Sequence, residues 1–209
     1  MKKSLLVFAA LVAVLVVSTA WAEDLNPPPW ERGSPGTTYQ RWEFGDASLN
    51  PPPEQDVYNP LAMPVMAIPD TWPNTAYMPS YLDMGGVWRL ESPDDIWITI
   101  QNYDNENEFK YIWMQITYGA EEGTAPLVLT NPGYTDIVVS DPILMGEHWY
   151  VTYDITLMPN PPSEVIVIQP DACTAYIDEI VVDTICIPEP VTVCFLGLGA
   201  LALLRKRRP

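Results

Sequence analysis

Asp95-Ile96-Trp97-Ile98-Thr99-Ile100-Gln101-Asn102-Tyr103 and Phe109-Lys110-Tyr111-Ile112-Trp113-Met114-Gln115-Ile116-Thr117-Tyr118 are the two runs whose alternation decides the fold. A period of two belongs to a β-strand, because successive side chains leave opposite faces of the pleat. Asp104-Asn105-Glu106-Asn107 between the runs is turn chemistry, so the two are expected to pair as one hairpin. Ile96, Ile98 and Ile100 share one face with Ile112, Met114, Ile116 and Tyr118, which makes that face core. The opposite face carries Trp97, Thr99, Gln101 and Tyr103 on one strand, and Phe109, Tyr111, Trp113, Gln115 and Thr117 on the other.

The same pattern extends to both sides. Thr37 to Phe44, Gly86 to Leu90, Leu127 to Thr130, Asp136 to Val139, Glu147 to Leu157, Val165 to Gln169 and Ala175 to Thr184 are rich in β-branched and aromatic residues. Turn clusters such as Glu121-Glu122-Gly123, Asn131-Pro132-Gly133 and Pro170-Asp171 separate them. No helical period is sustained outside the two ends of the chain. Many short strands with such punctuation predict an all-β chain, an antiparallel β-sandwich of jelly-roll-like form, with its core over residues 86–186. In Glu147 to Leu157 the apolar face is Trp149, Val151, Tyr153, Ile155 and Leu157. His148, Tyr150, Thr152, Asp154 and Thr156 face the other way, which puts the single histidine toward solvent.

Residues 23–85 read differently. Leu25-Asn26-Pro27-Pro28-Pro29 recurs as Leu49-Asn50-Pro51-Pro52-Pro53, and proline runs favour extended backbone that cannot donate to a ladder. Pro60, Pro64, Pro69, Pro73 and Pro79 punctuate the rest of the segment. It is expected to hold one strand and a long loop over 50–82, pinned by Trp72, Tyr77 and Tyr81 and packed on the sandwich.

Both ends read as addresses. Lys2 and Lys3, the apolar run Leu5 to Val17 and the small residues Ala20 and Ala22 make a secretory signal peptide over residues 1–22, cleaved after Ala22. That implies a secretion translocon and a signal peptidase as partners. At the other end Pro188-Glu189-Pro190 precedes Val191 to Leu204, apolar except for Thr192, and then Arg205-Lys206-Arg207-Arg208. At ~1.5 Å per residue this helix is shorter than the ~30 Å hydrocarbon core, but a terminal basic cluster holds such a helix on the cytoplasmic side. Residues 187–209 resemble the PEP-CTERM sorting signal. The resemblance implies recognition by an exosortase-type membrane protease, transient anchoring in the inner membrane, and delivery to the cell envelope, outer surface or extracellular matrix.

Charge sorts with these parts. The whole chain has 209 residues, 10 Lys and Arg, 27 Asp and Glu, and a net charge of −17. Between the two addresses only Arg32, Arg41, Arg89 and Lys110 are cationic, against 26 acids, so the body stands at −22. That excludes nucleic-acid binding through a basic footprint. The single histidine and the lack of a Ser or Cys nucleophile in an elbow argue against a triad enzyme. Cys173 and Cys186 are the candidate disulfide of an exported domain. A straight strand between them would hold them too far apart, so the bond requires a turn.

Two features point to ligands. Aromatics mixed with amides on one sheet face suit saccharide, since rings stack on sugar C–H faces while amides bond hydroxyls. Trp97, Tyr111 and Trp113 with Gln101 and Gln115 are the candidate binding residues, unless the loop over 50–82 covers them and makes the face a second core. The last strand, Tyr176-Ile177-Asp178-Glu179-Ile180-Val181-Val182-Asp183, resembles the closing strand of galactose-binding-like jelly rolls and some carbohydrate-binding modules. That resemblance implies a structural calcium site at Asp178 with Glu43 or Asp46. The reading is an exported, non-enzymatic structural or glycan-associating sandwich with extracellular polysaccharide as its partner. The alternative is a secreted glycan hydrolase using two carboxylates ~5–9.5 Å apart.

Overall fold

A computed structural model describes residues 24–54, 58–69, 71, 73–102, 109–120, 123–171 and 174–187. The segments read as a signal peptide (1–22) and as a sorting signal (all of 187–209 but Ile187) lie outside these residues. Among the described residues no helix is long and apolar enough to cross a membrane.

The strands are β1 (Thr37–Glu43), β2 (Val65–Ala67), β3 (Ala76–Tyr81), β4 (Met84–Glu91), β5 (Ile96–Gln101), β6 (Phe109–Gly119), β7 (Leu127–Asn131), β8 (Asp136–Val139), β9 (Ile143–Met145), β10 (His148–Leu157), β11 (Ser163–Gln169) and β12 (Thr174–Ile187). The larger sheet runs β3-β4-β12-β6-β10-β8, with β1 also on β12 and β9 also on β10; the smaller runs β2-β5-β11-β7. All pairings are antiparallel, so the described residues are all-β and β-sandwich-like.

One core joins the sheets. Ile96, Ile98, Ile100, Ile166 and Ile168 from the smaller sheet pack with Trp42, Trp88, Ile112, Met114, Ile116, Val151, Tyr153, Ile155, Ile180 and Val182 from the larger. Each such side chain contributes about 1.5–3 kcal/mol by leaving water. The inward residues are those assigned from alternation in β5, β6 and β10.

The expected hairpin does not form. β5 pairs with β11 and β2, while β6 pairs with β12 and β10, so the connection from Gln101 to Phe109 crosses between sheets. Alternation is satisfied equally by both arrangements, because each buries the same isoleucines. The Pro-rich segment also holds more structure than one strand. β1 lies along β12, β2 lies in the smaller sheet, and β3 pairs with β4 across position 85. Pro79 is accommodated because β3 is the edge of its sheet, where a missing N–H costs no ladder bond. Tyr77 meets Trp88 edge-on at 6.1 Å and Tyr81 stacks on Tyr176 at 3.6 Å.

β12 changes phase midway. Its register against β6 shifts between Ile177 and Glu179, a bulge that inserts Asp178. Ile177 before the bulge and Ile180 after it therefore both reach the core, and two adjacent acids are kept out of it.

Candidate functional site

The crossover separates the residues expected to share a binding face. β5 and β6 both turn their even-numbered side chains inward, from opposite sheets, so their odd-numbered ones leave the sandwich on opposite sides. Trp97 and Gln101 lie outside the smaller sheet; Tyr111, Trp113 and Gln115 lie outside the larger one. The combined aromatic face is thereby corrected to two faces.

On the smaller sheet, register sets Ala67, Trp97, Val167 and Leu129 in one row across four strands. Val65, Thr99, Val165 and Asn131 form the next row. Trp97 is 48% exposed and Leu129 44%. Among the described residues no other tryptophan is so open. Asp95 anchors the row's aromatic ring, taking the Trp97 indole N–H at 2.6 Å on one oxygen and the Gln169 amide at 3.3 Å on the other. Gln101 is exposed one row beyond Thr99. The described residues of the loop over 50–82 leave Trp97 exposed, and β2 extends the sheet beside it.

On the larger sheet a roof of residues 24–32 covers the corresponding face. The Trp113 indole donates to the Asn26 carbonyl at 2.6 Å, and Asn26 N–H donates to Gln115 Oε1 at 3.1 Å. Asn26 Nδ2 reaches Thr152 at 3.2 Å, while Gln115 Nε2 donates to Asp24 at 2.7 Å. Tyr150 donates its hydroxyl to Gln115, and burial pushes that phenol up to about 12. Tyr150 and Thr152, expected to face solvent, are buried under this roof. Arg32 pins it with a fork on Asp183, both contacts at 2.5 Å, with a further ion pair to Asp24 and its guanidinium 3.9 Å over the Tyr39 ring. Burial pulls the Arg32 pKa down, but Asp183 and Asp24 outweigh it and hold it above its ordinary value. Asp183 is fully buried, and desolvation lifts it to about 6 against the pull of Arg32. Replacing Arg32 by alanine should strand that carboxyl and cost roughly 1–3 kcal/mol in denaturant unfolding.

The acidic residues of the closing strand gather at the same sheet. Register sets Glu43 opposite Glu179, next to the bulge residue Asp178. Arg41 lies 3.1 Å from Glu43 and 3.8 Å from Glu179. Burial, reinforced by Glu43, lifts Glu179 to about 7 despite Arg41; burial also lifts Asp178 to about 6. Asp46 lies in an exposed bend, where it accepts the Ser48 N–H at 2.8 Å. Among the described residues no group of three or more His, Cys, Asp or Glu is arranged to hold a metal ion. Glu43 and Glu179 face each other in register, but Glu179 is 3% exposed, too closed for a sugar ring to reach. His148 pairs with Asp83 at 3.0 Å at the surface and holds that carboxylate below its usual value.

Sequence reading missed a polar group inside the core. Lys110 and Glu164 are both fully buried, with Nζ 2.7 Å from Glu164 Oε1. The Lys110 ammonium also donates to Asn102 Oδ1, and the Asn102 amide donates to Glu164 Oε2 and, at 2.9 Å, to the Pro161 carbonyl. The signal was present in the alternation. Lys110 is in phase with Ile112 and Met114, Glu164 with Ile166 and Ile168, and Asn102 with Ile98 and Ile100. Three polar residues at inward positions, two of opposite charge, imply a partnership across the sandwich.

Cys186 is buried near this group, its Sγ 3.8 Å from Asn160 Oδ1. Cys173 lies outside the described residues, as do Ala20, Ala22, Pro188, Glu189, Pro190, Arg205, Lys206, Arg207 and Arg208. Comparison with protein-family models, with curated proteins and with solved structures finds no match.

Proposed function

We propose that this chain is an exported protein of the cell envelope or extracellular matrix, sorted by a PEP-CTERM tail, whose non-enzymatic β-domain associates with polysaccharide through its smaller sheet. The observation that carries the binding reading is Trp97, half exposed and tethered to Asp95 in an open apolar row that grades into Thr99, Gln101 and Asn131. A ring for C–H stacking beside amides and hydroxyls is the chemistry a sugar needs. The strand order supports a jelly-roll-like reading: β4-β12-β6-β10 faces β5-β11-β7, with successive strands from β4 to β7 changing sheet. The acidic body suits an outward-facing, soluble surface that repels polyanions, so neutral glycans are the expected partners.

Retention on insoluble neutral polysaccharides tests the binding. The native protein should be held, Trp97→Ala should bind roughly tenfold more weakly, a loss of ~1.4 kcal/mol, and Trp113→Ala should bind as the native protein does. Equal binding by all three, or by none, overturns the assignment. The sorting reading is checked by the mass of protein recovered from the native cell. A C-terminus near Pro190 supports processing, and an intact Arg205 to Pro209 end overturns it.

A further inference from the structure

Lys110, Asn102 and Glu164 form a closed set of reactants. A primary amine touches a carboxamide, and one carboxyl group bridges the two nitrogens, Oε1 at Lys110 Nζ and Oε2 at Asn102 Nδ2. Lys110 and Glu164 are fully buried and Asn102 nearly so. We propose that Lys110 and Asn102 are joined by an intramolecular amide bond, formed after folding, with Glu164 carrying the protons.

The chemistry balances without a co-reactant. The Lys110 ammonium gives one proton to the Glu164 carboxylate, turning two buried charges into a neutral pair, the form a water-free interior favours. The freed amine attacks Cγ of Asn102, making the Nζ–Cγ bond. A second proton passes from Nζ through the carboxyl group to Nδ2, the Cγ–Nδ2 bond breaks, and ammonia leaves. One proton remains on Glu164, now a neutral acid beside a secondary amide. Burial lifts the Glu164 pKa above its ordinary value, against the opposing pull of Lys110, which favours that protonated product. No oxidation state changes.

Position supplies the rate. Asn102 follows the smaller sheet's β5, Glu164 lies on its β11, and Lys110 lies on β6 of the larger sheet, so the groups meet only when the two sheets close. Once they meet, a bimolecular aminolysis becomes intramolecular, with effective molarities that reach 10⁵–10⁸ M in well-oriented cases. Exclusion of water removes the competing hydrolysis. The Pro161 carbonyl, 2.9 Å from Nδ2, helps fix the orientation of the amide. The product ties the two layers of an exported domain covalently, and it needs no cysteine.

Peptide mapping of the full chain, purified under non-denaturing conditions, tests the bond. Glu106 and Glu108 lie between Asn102 and Lys110. A glutamate-specific protease therefore separates the two residues in an unlinked chain. In a linked chain they stay together as a branched pair, lighter than the sum of its peptides by one ammonia. Fragmentation should place the branch at Asn102 and Lys110; a digest with linear peptides only overturns the proposal. Glu164→Gln keeps the shape but cannot shuttle the proton, and its linking rate should fall at least about a hundredfold, the lower end of general acid–base contributions. A folded Glu164→Gln protein that links at the native rate overturns the role of Glu164. Should that variant fail to fold, the native digest still decides the bond.

Discussion

Replacing Glu164 by alanine should destabilise the domain by about 3–5 kcal/mol. The wild-type carboxyl group is fully buried and meets both Lys110 and Asn102. Its removal leaves the Lys110 amine in the sandwich interior with only an amide to face, and it removes the carboxyl group that carries the protons for the proposed Lys110–Asn102 bond. A loss of that size in a chain of this length lowers the thermal midpoint by roughly 6–20 °C. Urea unfolding followed by tryptophan fluorescence measures it, since Trp42 and Trp88 are buried in the same core. The double variant Lys110→Met, Glu164→Leu removes both charges while keeping volume, so it should recover the part of the loss that comes from the unpaired amine. It should remain below the native protein by about 2–3 kcal/mol, the closure entropy of a loop of about nine residues, if the amide bond is present. A double variant more stable than the native chain would mean a simple buried ion pair.

The triad also shows what alternation can and cannot tell. In β5, β6 and β10 a period of two places every core residue on its correct side. Which sheet each strand joins is a different question. The hairpin reading and the observed crossover bury identical isoleucines, and nothing local distinguishes them. The error carries directly into the site: a face holding Trp97 and Trp113 together exists only if β5 pairs with β6. Short strands escape notice for another reason. Val65–Ala67 and Ile143–Met145 are three residues each, too short to display a period. Ala76–Tyr81 contains Pro79, a breaker everywhere except at an edge.

Covering segments are equally hidden, because they are chosen by tertiary fit. Proline content points to residues 50–82 as the roof over Trp113, yet the roof is Asp24 to Arg32, held by one arginine on one buried aspartate. Its consequence bears on the proposed binding face. The larger sheet's aromatic and amide residues spend their hydrogen bonds on Asn26 and Asp24, leaving the smaller sheet as the open face. The adjacent acids Asp178 and Glu179, by contrast, carry a readable mark: two polar residues between Ile177 and Ile180 break the period and announce the bulge.

Those acids should make the domain more stable in mild acid than in mild base. Glu179 is lifted from 4.5 to about 7, Asp178 from 3.8 to about 6 and Asp183 from 3.8 to about 6, in each case chiefly by burial. Between about pH 4 and 7 the folded chain holds protons that the unfolded chain has released, so stability falls as pH rises through that window. Like charges deepen the effect, since Glu43 and Asp178 act on Glu179, while Glu43 and Asp83 act on Asp178. Arg41, His148 and Arg32 oppose it. Asp83, lowered by His148, has the opposite sign, but it sits at the surface, where water screens the pair. The full shift of the nearly buried Glu179 corresponds to about 3 kcal/mol, or roughly 6–12 °C in thermal midpoint. Thermal melts at pH 5 and pH 8 should therefore give the higher midpoint at pH 5. Glu179→Gln, neutral at every pH, should raise the pH 8 midpoint and narrow the gap. A midpoint that climbs from pH 5 to pH 8 would mean that Arg41 and Arg32 dominate, and that these three carboxylates are ionised in the fold.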